Sequence, residues 1–144
     1  MMRRIKIFLL SILTTCAIFG AVSTTTAHAA TWHKYTPSAI RGTWVTKKID
    51  YLGTKARIEV KLSKNQFYLE GNDPTILKNM YYHHNKGSHY YYIKGTEYMY
   101  TKGHEVDYYK VHKSKNWIHL CAYLSVNDGH HYKSHYWTNY YYRK

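Results

Sequence analysis

Cysteine and acid are both scarce in this chain of 144 residues: two Cys, and eight Asp+Glu against 21 Lys+Arg. One cysteine, Cys16, falls in the leader described below, which leaves Cys121 alone and excludes an intramolecular disulfide. Charged residues make up only 20% of the chain against 44% hydrophobic, which excludes a disordered tail. The longest apolar stretch, Ile7 to Val22, is short of the roughly 20 residues that span a bilayer core. Also missing are a Gly-x-Ser-x-Gly elbow, a His-Glu-x-x-His helix and a phosphate-cradling glycine loop. What remains is a single domain, held by packing, with a formal charge of +13.

The first 29 residues read as a secretory signal. Arg3, Arg4 and Lys6 precede the apolar stretch, and Ala27-His28-Ala29 offers the small residues a signal peptidase accepts. Cleavage after Ala29 is expected. Leu13-Thr14-Thr15-Cys16 has the outline of a lipobox, but Thr15 is larger than usual there and the apolar run continues past Cys16. The expected mature chain, residues 30–144, keeps 15 Lys with Arg41, Arg57 and Arg143 against all eight acids, a charge of +10. Lysine is a hydrated point charge suited to diffuse attraction.

The mature chain predicts an all-β domain. Thr36-Pro37 predicts a capped turn within a leader over 30–41, with Thr36 satisfying free N–H groups. Beyond Gly42 the period is two: Arg57, Glu59 and Lys61 alternate with Ile58, Val60 and Leu62. Strands are expected near Thr43–Lys48, Ala56–Leu62, Gln66–Glu70, His89–Lys94, Glu97–Thr101, Glu105–His112, Trp117–Val126 and His131–Tyr142. Turns are expected at Ser63–Asn65, Gly71–Pro74, Asn85–Ser88, Gly95–Thr96, Lys102–Gly103, Lys113–Asn116 and Asn127–Gly129. Thr75–Met80 reads equally as a helical turn or a strand. In the strand from Trp117 the expected core face is Ile118, Leu120, Ala122 and Leu124, with Trp117, His119, Cys121 and Tyr123 opposite. About eight strands over 42–144 suffice to close a small antiparallel up-and-down β-barrel, an open sandwich being the other arrangement.

Thr36-Pro37-Ser38-Ala39-Ile40-Arg41-Gly42-Thr43-Trp44 resembles the opening of lipocalin and wider calycin barrels. That resemblance implies that Trp44, in Gly42-x-Trp44, closes the barrel floor and that Arg143 packs over it. Val106-Asp107-Tyr108-Tyr109 loosely resembles a second motif of the family. The whole mature chain also resembles small secreted proteins of lactobacilli and related Gram-positive bacteria, with an early Pro, Arg-Gly-Thr-Trp, and an aromatic last strand ending in Arg143-Lys144. The likeness implies fold and location only.

Tyrosine is abundant, 18 in all, and occurs in adjacent runs such as Tyr90-Tyr91-Tyr92 and Tyr140-Tyr141-Tyr142. Neighbours on a strand point to opposite faces, so both faces of the sheet are expected to be aromatic. Tyrosine is also a good strand former in its own right. Tyr90, Tyr92 and Lys94, with Tyr98, Tyr100 and Lys102, are the expected binding residues, because cations interleaved with rings suit polyanions and glycans. His131 and His135 share a strand face with Lys133 between them, which disfavours a metal there, and neither metal nor cofactor is expected. Cys121, His119 and Asp107, or the paired acids Glu105 and Asp107, are the only imaginable catalytic sets. The expectation is therefore a secreted, non-enzymatic binding module for an anionic cell-wall polymer or glycan. A calycin-type carrier of a small hydrophobic or sugar-like ligand is the alternative, and nucleic acid is disfavoured by the scarcity of Arg.

Overall fold

The computed structural model describes residues 31–144, so the expected signal segment lies outside the described residues. Its strands are β1 (His33–Lys34), β2 (Gly42–Val45), β3 (Ile49–Tyr51), β4 (Thr54–Ala56), β5 (Glu59–Leu62), β6 (Gln66–Leu69), β7 (Thr75–His84), β8 (Tyr90–Glu97), β9 (Glu105–Lys113), β10 (Trp117–Asn127) and β11 (His130–Arg143). A 3-10 turn at Ser38–Ile40 precedes β2. All pairings are antiparallel. In sequence order β2, β5, β6, β7, β8, β9, β10 and β11 each pair with the next, and β11 returns to β2, so eight strands form a closed ring. β1 lies against β7, and β3–β4 is a separate hairpin.

The ring encloses one core. Trp44, Val60, Phe67, Leu77, Met80, Ile93, Val111, Ile118 and Leu120 are all fully buried, and each such aliphatic or Phe side chain contributes about 1.5–3 kcal/mol on burial. Closure rests on two strand pairs, Tyr142 with Val45 and Arg143 with Trp44, continued by the Lys144 N–H, which donates to the Thr43 carbonyl at 3.1 Å. Upstream of these, two register shifts kink β11 relative to β10, a device that discourages pairing along an exposed edge.

Several local expectations change. Gly95 is no turn: β8 runs unbroken through it, and a Cβ there would lie 2.6 Å from Met80 Sδ and 2.8 Å from Leu77 Cβ. The glycine is required by close packing. Consequently Glu97–Thr101 is not a strand, and residues after Glu97 form the β8–β9 loop. Thr75–Met80 belongs to a ten-residue strand. Thr36 caps nothing; its carbonyl accepts from Arg41 Nε at 2.7 Å, while its buried hydroxyl has no partner.

The core face of β10 changes as well. Ile118 and Leu120 are fully buried, and Ala122 packs against the core. A bulge between Ala122 and Leu124 then reverses the alternation, so that Leu124 pairs with Tyr108 and Ser125 with Asp107. Asp107 also pairs with Gly95, whose Cβ direction points at Met80 and Leu77. Ser125 and Asp107 therefore face inward and Leu124 outward. Cys121 is only 1% exposed, covered from outside although it pairs with Trp137 and Lys110 on the outer face.

Candidate binding face

Inner and outer sides of β8 and β9 are fixed by the register. Gly95, Ile93 and Val111 face the core, so Lys94, Tyr92 and Tyr90 on β8, with Tyr108, Lys110 and His112 on β9, face out. Cross-strand pairing arranges these six in three rows: Lys94 with Tyr108, Tyr92 with Lys110, and Tyr90 with His112. Each row sets a basic residue beside a tyrosine.

The rings lock these groups in place. Lys94 Nζ sits 4.5 Å from the Trp32 ring and within 6 Å of the rings of Tyr81 and Tyr108. Lys110 Nζ lies 4.1 Å from the centroid of Tyr90 and 5.9 Å from that of Tyr92. Tyr92 and Tyr108 meet Tyr123 edge-on, and His112 stacks on Tyr90 at 4.6 Å. Such contacts contribute about 0.5–1 kcal/mol each at exposed positions. Trp32 and Tyr123 join the face from outside the predicted set. Trp32 precedes β1, whose pairing with β7 no local pattern signals, and Tyr123 sits at the bulge of β10.

At its lower end the face runs into a cleft of about 450 Å³ between the β7–β8 and β9–β10 turns. His89, His112, Lys113, Lys115 and Trp117 line it, with Ser88 and Ser114. Trp117 meets His112 and Tyr140 edge-on, both at 5.0 Å. Burial, followed by the neighbouring His89, His119 and Lys110, holds His112 below the ordinary histidine pKa. This cleft combines cations, hydroxyls and an indole.

The six expected binding residues divide. Tyr90, Tyr92 and Lys94 lie on the outer face, whereas Tyr98, Tyr100 and Lys102 fall in the β8–β9 loop beyond the strand. Tyr98 and Tyr100 are 55% and 57% exposed, and Lys78 Nζ lies 3.7 Å from the Tyr98 ring. Glu97 builds that loop by accepting from the backbone N–H groups of Met99, Tyr100 and Thr101 at 2.7–2.9 Å. Burial pushes its pKa up, but these donors outweigh that and lower it.

Gly42, Trp44 and Arg143 meet at the end where Arg143 N–H donates to Asn116. Trp44 Nε1 donates to the Ile40 carbonyl at 3.0 Å, and the Arg143 guanidinium covers the indole. At the opposite end Glu105 and Asp107 share the inner face with Ser125 and Asn127; Glu105 accepts from Ser125 Oγ and from Asn127. Burial first, then the charge of Glu105, pushes Asp107 up to about 6.

Of the two imagined catalytic sets, Glu105 and Asp107 come together on the inner face, while Cys121, His119 and Asp107 do not assemble. Asp107 faces inward, while His119 and Cys121 face outward, and burial raises the Cys121 pKa and keeps it a thiol. His131 and His135 lose their shared alternation, because the register shift between Lys133 and Tyr136 falls between them. Among the described residues no group of three or more His, Cys, Asp or Glu is placed to hold a metal, and no helix is long and apolar enough to cross a membrane. No protein-family model, curated protein or solved structure matches the chain. The geometry of the face therefore carries the functional argument.

Proposed function

We propose that this protein is a secreted, non-catalytic binding module whose ring of strands is a small calycin-type barrel, and that it holds an anionic cell-wall polymer or glycan on its outer face. One observation carries the reading: Lys94, Lys110 and His112 stand in successive rows, each beside a tyrosine, and lead into a cleft lined by Lys113 and Lys115. A charge of +10 over residues 30–144 adds long-range attraction to those local contacts. The carrier alternative draws less support, since Met80 and Leu77 close on Gly95 and Phe67, Ile93 and Val111 are fully buried; its one opening is a cavity of about 390 Å³ beside Ile58, Leu69 and Tyr141.

The test is retention on purified Gram-positive cell walls across a salt gradient. Release on raising salt from 0.05 to 0.5 M, and earlier release of a Lys94→Ala/Lys110→Ala variant, are the expected results, given that the Debye length shrinks from above about 10 Å to well below it. Retention indifferent to salt overturns the reading.

A further inference from the structure

The three rows have a spacing as well as a charge. Residues two apart on a strand repeat at about 7 Å, so the Lys94, Lys110 and His112 rows form a ladder of that period before the cleft opens. A linear polymer running along β8 and β9 meets a basic residue at each step. Phosphodiesters separated by a three-carbon polyol repeat over a comparable length when the chain is extended. Inorganic polyphosphate, with a single bridging oxygen between phosphorus atoms, is far too tightly spaced.

The rings discriminate further. Lys110 already covers Tyr90, Lys94 covers Trp32, and Tyr92 and Tyr108 are engaged edge-on by Tyr123. On β8 and β9 these rings are already engaged within the protein, which leaves them less free for the stacking that single-stranded nucleic acid uses. Ammonium groups and phenol edges suit hydroxylated, phosphate-bearing chains better than bases.

We infer that the outer face binds a linear polyol-phosphate chain laid along β8 and β9, one phosphate to a row, with its end in the Trp117 cleft. This rests on the polyanion reading above and makes it specific. The Trp117 indole then packs against the polyol carbons while Lys113 and Lys115 hold the terminal phosphate.

The test is titration of the purified protein with glycerol-phosphate oligomers of one to six repeats, alongside oligothymidylates of matched phosphate number, polyphosphate and heparin. Expected in acid, where the His112 row turns cationic, is a several-fold gain in affinity per repeat up to about four repeats, three rows plus the cleft, and then a plateau; at neutral pH the His112 row adds little. Oligothymidylate binds more weakly at equal phosphate number. Lys94→Ala and Lys110→Ala each lower the salt slope by about 0.7, the value for one phosphate contact on a single strand, and Lys→Arg at the same positions restores it. Affinity that does not grow beyond one repeat, or oligothymidylate binding as tightly, overturns the inference. If heparin binds in a salt-dependent way while the oligomers fail, the inference falls and the polyanion reading survives; if no polyanion binds, both fall.

Discussion

The guanidinium of Arg143 lies 4.9 Å from the centroid of the Trp44 ring, and its Nη2 donates to the Arg41 carbonyl at 3.1 Å. These residues are 99 positions apart, and they are also one of the two pairs that join β11 to β2. Gly42 makes room for the stack: its φ is +135°, and a Cβ there would come within 3.2 Å of Nη2. Ring closure therefore depends on a contact between the first and last strands of the ring. Replacing Arg143 by Ala removes a cation–π contact and a hydrogen bond to a carbonyl. The expected loss is about 1–2 kcal/mol in urea unfolding, with Arg143→Lys recovering part of it. An unchanged unfolding midpoint would show that closure does not need the stack.

Gly95 supplies a second stability test. Its hypothetical Cβ meets Met80 Sδ, Leu77 Cβ and the Lys78 carbonyl, all within 2.9 Å. Backbone cannot retreat as a flexible side chain can, so Gly95→Ala is expected to cost about 1–3 kcal/mol through overpacking. Gly95→Ala/Met80→Ala relieves one of the three contacts and is expected to lose less than the sum of the two single variants, a non-additivity readable by thermal melts.

Gly95 also explains why sequence reading succeeds in some places and fails in others. Asn127-Asp128-Gly129 was legible as a turn because its chemistry is local: Asp128 and Gly129 both adopt positive φ, as a two-residue hairpin demands. Gly95 offers the same residue type for a different reason, an approach from Met80 on another strand, which no neighbouring residue announces. Leu124 fails similarly. Its alternation with Ile118, Leu120 and Ala122 is regular in the sequence, and only pairing with β9 inserts the bulge that turns it outward. Tyr90, Tyr92 and Lys94 share one face because period two is intrinsic to a strand. Trp32 and Tyr123, which complete that face, arrive through tertiary pairing.

The inner acids predict a pH dependence of stability with a definite sign. Burial and Glu105 raise Asp107 to about 6, above the value of about 3.9 for an unfolded chain. The folded state thus binds the proton more tightly, and the stabilisation present below pH 4 is lost as pH rises through about 6. Glu97 acts oppositely: its lowered pKa contributes stability above the ordinary carboxylate range, which is lost as pH falls through the depressed value. Asp107→Asn removes only the first effect. Melting temperatures should show this variant gaining on the parent at pH 8 and losing that advantage by pH 4. A constant difference across the range would rule out Asp107 as the source.

Acid should also tighten ligand binding on the outer face, and His112 sets where the last increment appears. Its imidazole lies between Tyr90, Trp117, His89, His119 and Lys110, in the row between Lys110 and the cleft. Burial and those neighbours lower its pKa, so this row stays neutral while ordinary histidines, near 6.5, are already charging. A bound phosphate supplies the opposite charge and raises the pKa again, which by linkage means that affinity climbs as His112 protonates. Polyanion affinity measured from pH 7.5 to 5 is expected to rise throughout in the parent, while His112→Gln follows it at neutral pH and falls behind only in the more acidic part. Resonances of His112 should titrate below the ordinary histidine value in the free protein and shift upward on adding ligand. A variant that tracks the parent down to pH 5 would remove His112 from the binding ladder.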